Sequence, residues 1–157
     1  MSISAFTLLH VIISLVAIAS GFVAILGLIG GRLYRGLTAI FLVTTALTSL
    51  TGFLFPYKGV TPGIVLGILS MIVLLLAIIA IYGCKLAGAW RGTYVVSASI
   101  ALWLNVFVLF AQSFGKIPAL HAIAPTQASP AFGITQLVVM VIFIVIAIRA
   151  FKGFRGA

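Results

Sequence analysis

Five long apolar stretches constrain the fold of this chain more than any other feature of its sequence. They cover residues 3–29, 37–55, 64–83, 93–114 and 131–151. A helix rises about 1.5 Å per residue, so about 20 mostly apolar residues cross the hydrocarbon core of a bilayer. The sequence therefore predicts an all-α integral membrane protein, a bundle of five transmembrane helices that forms one domain over residues 1–157.

The charge composition supports this prediction and excludes several kinds of chemistry. The chain is 64% apolar and 6% charged, and it contains no Asp or Glu, whereas about a quarter of the residues of a soluble domain are charged. Without carboxylates it cannot form a glycosidase carboxylate pair, an Asp-containing triad or a carboxylate cage for Ca²⁺ or Mg²⁺. We therefore predict no catalytic residues and expect that the protein is not an enzyme.

The distribution of Lys and Arg predicts the orientation of the bundle. Two cations, Lys58 and Lys116, fall on one side of the predicted spans. Seven fall on the other: Arg32, Arg35, Lys85, Arg91, Arg149, Lys152 and Arg155. Cytoplasmic loops contain the excess of cations, so we predict an outside N-terminus and a cytoplasmic C-terminus. Aromatic residues at the cytoplasmic interface support this orientation: Tyr34, Tyr82, Trp90 and Tyr94.

The net charge of +9 does not indicate nucleic-acid binding. The nine cations are divided among short loops, so they form no continuous basic face. The expected partners of these cations are anionic lipid headgroups at the cytoplasmic face.

Polar side chains within the spans predict a candidate binding pocket. In a bilayer such side chains face other helices, because lipid offers them no hydrogen-bond partners. Counted from the predicted ends, the strongest polar groups share the outer half of the bundle. They are His10, Ser14, Thr48, Asn105, Gln112 and Gln136. The sequence leaves two interpretations open: an outward-facing pocket for a quinone, haem or small neutral solute, or hydrogen bonds that only join the helices.

Metal and cofactor binding receive little support from the sequence. His10 and His121 fall on the same side of the membrane, and two imidazoles can ligate a haem or contribute to a copper site. No other pattern fixes one imidazole relative to the other, and Cys84 is the only cysteine. We therefore predict no metal site, with His10 and His121 as the candidates if one exists, and no required cofactor.

Three segments resemble a family of small multi-pass bacterial inner-membrane proteins that has no assigned function. They are TTALTSLTGFLFP at 44–56, LNVF at 104–107 and APTQ at 124–127. The resemblance implies a bacterial inner-membrane location and no specific activity. The last segment belongs to the longest loop, 115–130, in which we expect a short interfacial helix around residues 119–124.

Three functional classes remain, and the features of the predicted spans rank them. A non-catalytic accessory or scaffold subunit of a larger membrane complex is favoured, because the chain has no domain outside the predicted spans. Its partners would be other membrane subunits or a second copy. A binding protein that uses the outer pocket is the alternative. A conduit ranks last, because the spans lack charged rings and broken half-helices.

Overall fold

The computed structural model describes residues 3–56 and 59–155, which form helices joined by short connections. The helices are α1 (Ile3–Ile29), α2 (Arg35–Phe53), α3 (Pro62–Ile78), α4 (Trp90–Lys116), α5 (Pro118–Ile123) and α6 (Pro130–Gly153). A π-helical turn at Ile79–Gly83 extends α3. Five helices are long and apolar enough to cross a membrane, and the predicted bounds agree with theirs to within three residues.

Proline and turn chemistry set several of the helix boundaries. Pro62, Pro118 and Pro130 each occupy the first turn of a helix, where the missing N–H of proline costs no hydrogen bond. The Thr61 hydroxyl caps α3 by accepting from the Ile64 N–H at 3.4 Å. The short helix predicted in the 115–130 loop is confirmed as α5.

The end of α3 is wound more widely than an α-helix. The Cys84 N–H donates to the Ile79 carbonyl at 2.8 Å, and the Leu86 N–H donates to the Ala80 carbonyl at 2.9 Å. Lys85 and Leu86 then adopt left-handed backbone conformations, with φ of 48° and 60°. Together with Gly88, which has a φ of 54°, these two residues lie in the connection between α3 and α4.

Helix α4 lies at the centre of the bundle. It contacts α1, α3, α5 and α6, while α1 also contacts α2 and α6, and α2 contacts α3. Half of the most apolar window of α4 is buried, compared with 22% for α6. We call the end that contains the start of α1 and the end of α4 the His10 end, and the opposite end, where α4 begins and α6 finishes, the Arg91 end.

Small residues allow the helices to approach closely. A Cβ placed on Gly21 of α1 would lie 2.7 Å from side-chain atoms of Leu102 in α4 and Phe41 in α2. At the Arg91 end, a Cβ on Gly153 would collide with the carbonyl group of Ile29. These glycines permit the α1–α2–α4 contact and the α1–α6 contact.

One residue of the predicted aromatic belt does not lie at the surface. Tyr34, Tyr82 and Trp90 are exposed at the Arg91 end, but Tyr94 is fully buried. The Tyr94 hydroxyl donates to the Thr38 hydroxyl at 3.4 Å, between α4 and α2. The prediction for Tyr94 was wrong because this first part of α4 already faces another helix.

Candidate functional site

His10 joins α1 to α2 at the His10 end of the bundle. Its Nδ1 lies 2.7 Å from the Thr51 hydroxyl oxygen, and its ring meets the Phe55 ring edge-on, with centroids 5.2 Å apart. The Ser14 hydroxyl, one turn further along α1, donates to the His10 backbone carbonyl at 2.7 Å. His10 is thus fixed by contacts with the end of α2.

Asn105 joins α4 to α2. Its amide group donates to the Thr45 hydroxyl at 3.0 Å, and Thr45 is fully buried. Together with the Tyr94–Thr38 contact, this bond makes two polar links between the helices. Thr45 was not among the predicted pocket residues. It follows Thr38 by seven residues, about two helical turns, so the two hydroxyls share one face of α2.

Gln136 and Gln112 have different environments. Gln136 is buried on α6, and its amide donates to the Phe107 carbonyl of α4 at 3.0 Å. Gln112 is exposed near the end of α4. The predicted pocket residues that bond across helices are therefore divided among three contacts: His10 in α1–α2, Asn105 in α2–α4 and Gln136 in α4–α6.

Three buried polar atoms have no hydrogen-bond partner among the described residues. They are Thr48 Oγ1, Trp103 Nε1 and Gln136 Oε1. Most buried polar atoms in folded proteins are hydrogen-bonded, and each exception calls for an explanation such as a water molecule or a ligand. The Trp103 indole offers a donor, and the Gln136 side-chain oxygen offers an acceptor.

The described residues contain no group of three or more His, Cys, Asp or Glu side chains that could hold a metal ion. His121 is exposed on α5, whereas Nδ1 of His10 contacts Thr51. Cys84 is a partly buried free thiol at the end of the π-helical turn.

Arg91 makes contacts that the sequence analysis did not predict. Its guanidinium group donates to the Phe154 carbonyl and, at 3.2 Å, to the Phe151 carbonyl. It also lies 5.2 Å from the centroid of the Phe151 ring. A cation at the carbonyl end of a helix is favourable, so Arg91 attaches the start of α4 to the end of α6. No pattern in the sequence pairs these two segments.

Comparisons with protein-family models, curated proteins and solved structures found no match for this chain.

Proposed function

We propose that this chain is a non-catalytic accessory or scaffold subunit of a larger complex in the bacterial inner membrane. The observation that supports this role is the use of the strongest polar side chains in contacts between helices. His10 bonds to Thr51, Asn105 bonds to Thr45, and Gln136 bonds to the Phe107 carbonyl. Such bonds hold transmembrane helices together, so these groups contribute to the assembly of the bundle.

We further propose that the Arg91 end faces the cytoplasm. Seven of the nine cations belong to this end, which the positive-inside rule places in the cytoplasm. Exposed Tyr82 and Trp90 lie at the same end, as aromatic residues do at a membrane interface. Of the two cations assigned to the outside, Lys116 ends α4 and Lys58 lies outside the described residues.

Helix α6 offers the surface for a protein partner. It has the smallest buried share of the five long helices, and its outward side is apolar. The exposed large residues on it are Ile134, Leu137, Val138, Met140, Val141, Ile142, Ile144, Val145, Ile148 and Phe151. A transmembrane partner or a second copy would pack against this helix.

Photocross-linking from α6 tests the proposal. Benzoylphenylalanine replaces Val141, which is 51% exposed, and in a control it replaces Leu15 of α1, which is 48% exposed. We expect Val141→benzoylphenylalanine to give one discrete protein adduct in native membranes, and Leu15→benzoylphenylalanine to give lipid adducts. Mass analysis then distinguishes a second copy from another subunit. Lipid adducts alone at both positions would contradict the scaffold role.

The three unpartnered atoms favour a second candidate function, the binding of a quinone, haem or small neutral solute. A ligand with both a donor and an acceptor would satisfy Trp103 Nε1 and Gln136 Oε1. Protein purified in mild detergent is examined for a Soret band and for extractable quinone. Binding is expected to be lost in folded Gln136→Leu protein and kept in Gln112→Leu. An empty wild-type protein, or an unchanged ligand content in Gln136→Leu, excludes this function.

A further inference from the structure

A groove on the side of the bundle runs inward from Arg91. Its volume is about 510 Å³, within the range of about 300–1,000 Å³ that is typical of small-molecule sites. Central helix α4 forms its floor, α3 contributes Val73 and Leu76, and α6 contributes Phe151. The groove exists because α3 and α6 both pack on α4.

The two ends of the groove differ in polarity. At the Arg91 end it is lined by Ala89, Arg91 and Thr93. Further along α4 it is lined by Val96 and Ile100, and by Ser97, whose hydroxyl donates to carbonyls of its own helix. From Ala89 to Ile100 the helical rise gives a length of about 16 Å. One leaflet of the hydrocarbon core has about the same thickness, since the whole core measures about 30 Å. The groove therefore has the polarity gradient and the length of half a bilayer.

Arg91 differs from the other cations in its burial. It is partly buried, whereas every other Lys or Arg among the described residues is exposed. One terminal nitrogen of Arg91 donates to the Phe151 and Phe154 carbonyls, and a guanidinium group has five N–H donors in total. The chain contains no Asp or Glu, so no side chain of this protein can neutralise that charge.

Backbone amides add donors at the same place. The first N–H groups of a helix have no intrahelical partner. In α4, those of Trp90 and Thr93 donate to the carbonyls of Ala87 and Ala89. The backbone amides of Arg91 and Gly92 donate to no backbone carbonyl in the described part of the chain, and both residues line the groove.

We propose that this groove binds one anionic glycerophospholipid. Its phosphate accepts hydrogen bonds from the Arg91 guanidinium group, and one acyl chain lies along Val96 and Ile100 between α3 and α6. The lipid supplies the negative charge that the sequence lacks and covers the apolar wall. This inference rests on the proposed insertion into a membrane and is independent of any protein partner.

Native mass spectrometry of the purified chain in detergent micelles tests the proposal. The probes are dioleoyl phosphatidylglycerol, dioleoyl phosphatidylcholine and inorganic phosphate. We expect the anionic lipid to bind more tightly than the zwitterionic one. Arg91→Gln is expected to weaken phosphatidylglycerol binding about tenfold, which corresponds to the loss of one charge-assisted hydrogen bond. The matched control is Arg149→Gln, which removes an exposed cation assigned to the same end and leaves binding unchanged.

Because Arg91 also attaches α4 to α6, a second variant is needed to distinguish loss of the lipid site from loss of the fold. Val96 is 44% exposed and lines the groove, so Val96→Phe fills the acyl-chain path and leaves Arg91 in place. We expect it to weaken binding of both lipids. Equal phosphatidylglycerol binding by wild type, Arg91→Gln and Val96→Phe would overturn the proposal. So would displacement of the lipid by equimolar inorganic phosphate, which would identify a site for a free anion.

Because the measurement uses the isolated chain, its outcome can be separated from that of the crosslinking experiment. Lipid binding without a protein adduct at Val141 would support the groove and contradict the scaffold role. A protein adduct at Val141 without lipid binding would support the scaffold role and contradict the lipid site in the groove.

Discussion

At the scale of single residues, the bond between Asn105 and Thr45 links two helices through a hydroxyl that is fully shielded from solvent and lipid. Replacing Asn105 with leucine leaves the Thr45 hydroxyl without the amide donor. A buried polar group that loses its partner costs about 1–3 kcal/mol. We expect Asn105→Leu to lower the free energy of unfolding by that amount, measured by titration with sodium dodecyl sulfate in mixed micelles.

The control for this prediction is Gln112→Leu, on the same helix. Gln112 is exposed, and surface substitutions change stability by about 0.5 kcal/mol or less. If both variants lost the same stability, the Asn105–Thr45 bond would have no special role, and the structural interpretation of the polar residues would lose its main support.

The polar residues were predictable from the sequence as a set, but their partners were not. His10, Asn105 and Gln136 were selected correctly as residues that face other helices. On α2 the predicted pocket residue was Thr48, whereas buried Thr38 and Thr45 face α4. Which face of α2 meets α4 depends on how the helices are arranged in space, and the helical period alone does not contain that information.

At the scale of elements, the connection after α3 contains two residues in an unfavourable backbone conformation. Lys85 is exposed and has a φ of 48°, a conformation that costs an L-residue about 1–2 kcal/mol and glycine very little. We expect Lys85→Gly to raise stability by about 0.5–1 kcal/mol, measured as an increase in melting temperature in detergent.

Arg149→Gly is the control, because it removes an exposed cation from α6 before the last turn of the helix. Glycine within a helix costs about 1 kcal/mol, so this variant should melt at a lower temperature. If Lys85→Gly lowered the melting temperature equally, the turn would not require a left-handed residue.

The contact of α1, α2 and α4 at Gly21 gives a second prediction at this scale. In Gly21→Ala the new methyl group would lie 2.7 Å from atoms of the Phe41 ring and of Leu102, both fully buried. Overpacking of this kind costs about 1–3 kcal/mol. Gly133→Ala on α6 is the control, because its methyl group meets no atom within 4 Å. The melting temperature should fall only in Gly21→Ala. An equal fall in Gly21→Ala and Gly133→Ala would show that the α1–α2–α4 contact is not tightly packed.

Element boundaries were the most predictable part of the fold. The lengths of the apolar stretches and the prolines near residues 62, 118 and 130 located the helices to within a few residues. The π-helical turn at Ile79–Gly83 was missed, because its sequence differs little from the apolar run before it. The contact of Arg91 with Phe154 was also missed, because it joins segments more than 60 residues apart.

At the scale of the whole molecule, the proposed orientation can be tested with single cysteines. The native thiol is removed by Cys84→Ser, and Lys116→Cys or Lys152→Cys is added, one at each end of the bundle. In intact bacterial cells, a membrane-impermeant maleimide should label Lys116→Cys directly and Lys152→Cys only after permeabilisation. Labelling in the opposite pattern would reverse the orientation, and labelling of both in intact cells would argue against five spans.

The central position of α4 also affects when the bundle can assemble during synthesis. Helices α1, α2 and α3 leave the ribosome before α4, the helix that all four other long helices contact. Until α4 arrives, the hydroxyls of Thr38 and Thr45 lack their partners Tyr94 and Asn105. If the proposed membrane insertion holds, a chain that stalls after α3 presents unpaired polar groups to the bilayer, a state that membrane chaperones and proteases can distinguish from the finished bundle.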